Sequence, residues 1–100
     1  MEEIEIGEYY RTSKGKIHKW TKGRTYIGKD KIVKHSFNII DLIGVGDIVT
    51  HGEGITFISV FEYEEVLEHF KELYKNETHL IKTILTKEQY QANCYEVWYV

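Results

Sequence analysis

The amino-acid sequence predicts an α+β fold: a strongly bent, mostly antiparallel β-sheet or a small SH3-like barrel, with one principal amphipathic helix over about 62–75 and a short C-terminal helix over about 87–92. Glycines recur through the first half and cut it into strand-length runs. Tyr63, Val66, Leu67, Phe70, Leu73 and Tyr74 return at spacings of three and four, the period of one helix face. Thr86 and Gln89 stand at the spacing of a capping box, which opens the second helix. One hundred residues, 42% of them hydrophobic and 14% aromatic, suit a single domain (1–100) with one core.

The elements follow in chain order. Residues 8–12 read as a strand, Ser13, Lys14 and Gly15 as a tight turn, and 16–21 as the returning strand. Ile17 and Trp20 have opposite parity there, which calls for a bulge or bend near Lys19 if both are to share a face. A short strand around Tyr26 and Ile27 lies between two glycine turns, and 31–35 forms another. Residues 36–43 fit either a strand or a single helical turn capped by Ser36. The sequence Gly44-Val45-Gly46-Asp47 is a turn leading into a strand at 48–50. Residues 55–61 are almost continuously apolar and predict a strand buried on both faces.

Glu64 and Glu65 in the first turn of the main helix and Lys71 and Lys75 near its end complement the helix dipole, and Asn76 is a stop signal. Residues 80–85 then form a strand. The segment 94–100 reads as a last strand, apolar on both faces; such a strand needs cover on two sides, which a second subunit would supply. Light scattering should then give a mass above 11.9 kDa.

Charge is unevenly distributed. Nine of the 13 Lys and Arg residues fall in 11–35 beside a single acid, Asp30, so that stretch carries a formal +8 inside a chain of net −3. Arg11, Lys14, Lys16, Lys19, Arg24 and their neighbours interleave with His18, Trp20 and Tyr26. Cationic strands bearing aromatics are how small barrels hold nucleotides or single strands, and lysines also commonly occupy the wet faces and edges of sheets. On the main helix, Glu65, Glu68 and Glu72 form an acidic stripe away from the apolar one, a surface suited to a basic partner or simply to water.

Catalytic patterns are weak. The five histidines stand at no metal-ligating spacing, and His51 beside Glu53 is the one pair in which a base and a carboxylate could meet, against the simpler reading of a polar turn. The Gly44-Val45-Gly46 turn lacks the third glycine and the lysine of a phosphate loop. A lone cysteine, Cys94, fits a reducing compartment, and the acidic N-terminus is unlike a signal peptide. The expectation is a cytoplasmic protein that is no enzyme, with no cofactor, metal or membrane span.

The block KIVKHSFNIIDLIGVGDIV, the opening GEYYRTSKGKIHK and the ending TILTKEQYQANCYEV resemble small phage and prophage proteins of Gram-positive bacteria. The resemblance covers about half the chain, departs over 52–80, and carries no catalytic residues. It implies a phage origin and expression in the cytoplasm of a bacterial host, where small accessory proteins of phages block host factors, including antiviral-defence components in the anti-CRISPR manner. Two functions follow: a binding protein that blocks or redirects a host protein through the acidic helix face, or a nucleic-acid- or nucleotide-binding protein that uses the basic segment.

Overall fold

The structure, a computed structural model, describes residues 4–21 and 30–93. Among them, two three-stranded antiparallel sheets and two helices make an α+β fold. The sheets are not closed into a barrel, so the bent-sheet expectation holds and the SH3-like closure does not. The first sheet has the order β2-β1-β3, from β1 (Tyr9–Thr12), β2 (Ile17–Lys19) and β3 (Ile32–Ser36). The second has the order β5-β4-β6, from β4 (Ile48–His51), β5 (Phe57–Val60) and β6 (Ile81–Leu85). Helix α1 spans Glu64–Tyr74 and α2 spans Lys87–Asn93. The expected strand at Tyr26 and the last strand at 94–100 lie outside the described residues.

The β1–β2 hairpin turns on Gly15, which adopts φ +81°. A Cβ there would lie 2.3 Å from the Thr86 hydroxyl oxygen, so glycine serves both the turn and the close approach of α2. The hairpin register is regular, with Tyr9 opposite Lys19, Tyr10 opposite His18 and Arg11 opposite Ile17. No bulge is needed at Lys19, because both faces are used: the Trp20 ring packs edge-on to Tyr10 at 5.7 Å, while Ile17 lies on the opposite face. The register breaks that do occur fall between Arg11 and Thr12 and between Thr50 and His51.

The ambiguous stretch 36–43 resolves into a 3₁₀ turn, Ile39–Leu42. Asn38, not Ser36, caps it by accepting from the Ile40 N–H at 3.1 Å; Ser36 instead donates to Asp41 at 2.6 Å and accepts from the Asn38 N–H. This turn drives Ile40 and Ile43 into the core with Val49, Phe61, Leu67 and Phe70. Tyr74, Ile81 and Ile84 pack around that cluster. Helix α1 therefore covers one face of the second sheet with Leu67, Phe70 and half-buried Tyr74, while Tyr63, Val66 and Leu73 of the same stripe stay exposed.

The segment 55–61 departs from expectation. Phe61 is buried, but Ile55, Phe57, Ile58 and Val60 are 69%, 55%, 70% and 54% exposed. The reason is topological: among the described residues β5 pairs with β4 alone and stands at the sheet edge, where an apolar run has one neighbouring strand to cover it.

Phe70 lies 4.8 Å from the Phe61 ring, 4.9 Å from His51 and 4.6 Å from Tyr74. Phe70→Ala should cost about 3–5 kcal/mol in urea unfolding, since the cavity adjoins three rings that cannot all collapse into it.

Candidate functional site

Arg11, in the middle of β1, does not join a cationic surface. It is 7% exposed, and its guanidinium reaches out of the first sheet to the 3₁₀ turn, the turn before β4 and α2. Nη1 donates to the Leu42 carbonyl at 2.8 Å and to Asp47; Nη2 donates to Asp47 at 2.9 Å and to both Glu88 carboxylate oxygens at 2.8 and 3.0 Å. Asp47 is fully buried and also accepts from the Gly44 N–H at 2.7 Å and the Lys87 N–H at 2.9 Å. Burial alone would pull the guanidinium pKa down; Asp47 and Glu88 outweigh it and hold the pKa above its ordinary value. The Gly44–Asp47 turn is thus the mount of a structural ion pair.

Helix α2 closes the same cluster. Thr86 caps it, accepting from the Gln89 N–H at 3.3 Å and donating to the Gly15 carbonyl at 2.7 Å. The capping box is formed in half only, because the Gln89 amide reaches the Lys14 carbonyl at 2.7 Å instead of folding back on the cap.

The rest of the basic segment is dispersed. Lys14, Lys16 and Lys19 are exposed, and Lys19 Nζ stands 5.6 Å over the Tyr9 ring. Trp20 is half-buried against Tyr10. Arg24 and Tyr26 lie outside the described residues. Asp30, the one acid of the stretch, is buried, which would raise its pKa. Hydrogen bonds from the Thr12 and Ser13 hydroxyls and the Lys14 and Lys31 N–H groups outweigh burial and hold it at about 2.

His51 does not meet Glu53. It is buried on β4, with Nδ1 2.8 Å from the Tyr74 hydroxyl and Nε2 2.7 Å from the Ser59 hydroxyl, and burial lowers its pKa. Glu53 is exposed. The histidine is a hydrogen-bonded core residue, and the pair the sequence brought forward as base and carboxylate is not assembled. No group of three or more His, Cys, Asp and Glu among the described residues could hold a metal ion.

Glu65, Glu68 and Glu72 are all exposed on α1, on the side opposite Leu67 and Phe70. Two of the three are partly neutralised along the helix: Glu72 lies 2.7 Å from Lys75 and Glu68 3.9 Å from Lys71.

The surface the sequence did not single out is the uncovered side of the second sheet. Val49 and His51 point to the core, so the pleat sends Ile48 and Thr50 outward. Register then places Val60, Ile48 and Leu85 in one row and Ile58, Thr50 and Thr83 in the next. These two rows carry no charge, where the solvated side of a half-covered antiparallel sheet is ordinarily polar. The face continues onto the β5 edge, whose outer backbone N–H and C=O groups face away from β4. The apolar run 55–61, which the sequence presents as a strand buried on both faces, supplies Ile58 and Val60 to this face.

Comparison with family models, with curated proteins and with solved structures finds no match for this chain. Among the described residues no helix is long and apolar enough to cross a membrane.

The buried titratable groups set a pH dependence. His51 is neutral in the fold and its pKa is depressed, so on acidification the unfolded chain takes up its proton first, near pH 6.5. The His51 contribution to stability should fall below that point by at most about 1.4 kcal/mol per pH unit, the slope for one proton. Glu8, held low by the Glu5 N–H and by His35, and Asp30 add a further loss as pH falls below the ordinary carboxylate range. Urea unfolding across pH 4–8 (on the order of one point per half unit) measures both losses, and His51→Gln should remove the first.

Proposed function

We propose that this chain is a phage-encoded accessory protein that binds a bacterial host protein and blocks or redirects it, taking an extended segment of that partner as an added strand on β5. The observation that carries the reading is the β5 edge, with Phe57, Ile58 and Val60 each more than half exposed beside two uncharged rows of the sheet face. An edge of this kind is left in water at a cost and is a template for another strand, since it offers main-chain hydrogen bonds for affinity and apolar side chains for selectivity. Natural sheets that do not bind there blunt such edges with Lys, Pro or a bulge, and β5 has none of these.

Charge suggests what flanks the partner strand. Glu53, Glu62, Glu64 and Glu65, all exposed, lie on either side of β5 in the chain, and Glu68 and Glu72 extend the acidic surface along α1. A segment with an apolar centre and Lys or Arg flanks would complement them. The phage origin, the cytoplasmic setting and the antiviral-defence class of partner rest on the sequence resemblance; the absence of an assembled catalytic group among the described residues is compatible with a binding role.

Ile58→Lys and Val60→Lys test the reading, because side chains this exposed change stability by only about 0.5 kcal/mol. Each should weaken capture of the host protein about tenfold or more, a loss of about 1.4 kcal/mol, in surface-immobilised binding after nuclease treatment. Reversing Glu65, Glu68 and Glu72 to Lys should slow association and abolish its salt dependence while leaving dissociation nearly unchanged. Undiminished capture by both β5 variants would contradict the proposal. A wild-type dimer that Ile58→Lys dissociates would show that a second copy occupies the face instead.

A further inference from the structure

A cleft of about 680 Å³ opens where β1 and β2 meet β6. Tyr9 and Ile17 of the first sheet and Ile81 and Ile84 of β6 line it together with Phe37, which is 60% exposed. A second cavity of about 300 Å³ shares Ile17 and Ile84 with the first and continues it towards Gly15. The larger space lies within the range of about 300–1,000 Å³ that small-molecule sites occupy.

The lining is selective in its charge. Among the described residues, no Asp or Glu lines either cavity. The groups there that can carry positive charge are Lys16, His18, His79 and Lys82. Lys19 adds a further ammonium at the Tyr9 ring. The described residues thus keep carboxylates out of one concave surface and place cations and two aromatic rings there.

We infer that this cleft binds a nucleotide, with the base against Phe37 and Tyr9 and the phosphate among Lys16, Lys19 and Lys82. Rings supply stacking surface for any base, and flexible ammonium groups supply a screened attraction for phosphate without reading sequence. Asn38, the amide in the lining, is committed to the Ile40 N–H and the Lys75 carbonyl, so it is not available to read a base edge. The same chemistry is offered by a free nucleotide and by one unit of a single strand.

Calorimetric titration of the full chain with adenosine monophosphate and with a short oligothymidylate, at several salt concentrations, tests this. Phe37→Ala should weaken binding about 5- to 150-fold, the range for loss of one stacked base. Lys82→Glu should weaken it further at low salt than at high salt. Both side chains are exposed, so both variants should melt as the wild type does. Equal affinity for the two probes supports a free nucleotide as occupant; preference for the oligomer, with log K falling against log salt at a slope of about −2 for three lysines, supports a single strand. The inference is overturned if neither probe binds at millimolar concentration, if both variants bind as the wild type does, or if an oligoglutamate peptide binds as tightly. Ile58→Lys should leave nucleotide binding unchanged, which separates this site from the β5 edge.

Discussion

A buried arginine ties the first sheet to the turn and the helix that flank the second. Arg11 leaves β1 and spends its guanidinium on Asp47, at the turn before β4, and on Glu88, in the first turn of α2. Burying the Arg11 and Asp47 charges costs several kcal/mol per ion, and the arrangement is tolerable because half-buried Glu88, the Gly44 and Lys87 N–H groups and the Leu42 carbonyl all pair with them. The geometry around it is correspondingly tight. Gly46, at φ +95°, leaves room for the Lys87 side chain, whose Cδ would lie 2.9 Å from any Cβ there. Remove the ion pair, and the hairpin, the Gly44–Asp47 turn and α2 lose the charged contact at which all three meet, while the Thr86–Gly15 and Gln89–Lys14 hydrogen bonds still join the hairpin to α2.

That organisation explains which parts of the fold could be read from sequence. Helix α1 was legible because Leu67, Phe70 and Tyr74 repeat with the helical period and because Glu64 and Glu65 complement its dipole, both local properties. The Thr86 cap was legible for the same reason, though where Gln89 turned was not, since its partner is the distant Lys14 carbonyl. Arg11 was misread as one cation among nine because nothing near it in sequence marks it as buried; its partners are 36 and 77 residues away. The apolar run at 55–61 was misread as a central strand because hydrophobicity reports that a strand needs cover, and only topology decides whether it receives any.

The candidate site was legible in outline only. The acidic stripe at Glu65, Glu68 and Glu72 lies on the solvent side of α1 as its spacing required, whereas the basic segment is parted, with Arg11 turned inward and Trp20 packed on Tyr10. The two surfaces that emerge differ in character. The β5 edge is apolar, uncharged and open-ended, suited to main-chain pairing. The cleft is concave, partly aromatic and, among the described residues, free of carboxylates, suited to a small anion. Both lie on the scaffold that Arg11 joins, the first wholly on the second sheet and the second between the two sheets, so that only the cleft depends directly on how the sheets are set against each other.

The most direct test of the account is a double-mutant cycle on the pair at its centre, with Arg11→Met, Asp47→Leu and both together followed by urea unfolding. If the buried pair joins the hairpin to the turn before β4, Arg11→Met leaves the buried Asp47 carboxylate without its cation and should lose about 3–5 kcal/mol, and Asp47→Leu should lose less, because Glu88 still pairs with Arg11. The double variant should then recover much of the Arg11→Met loss, giving a coupling energy of about 3 kcal/mol or more. Small and additive losses would contradict the account.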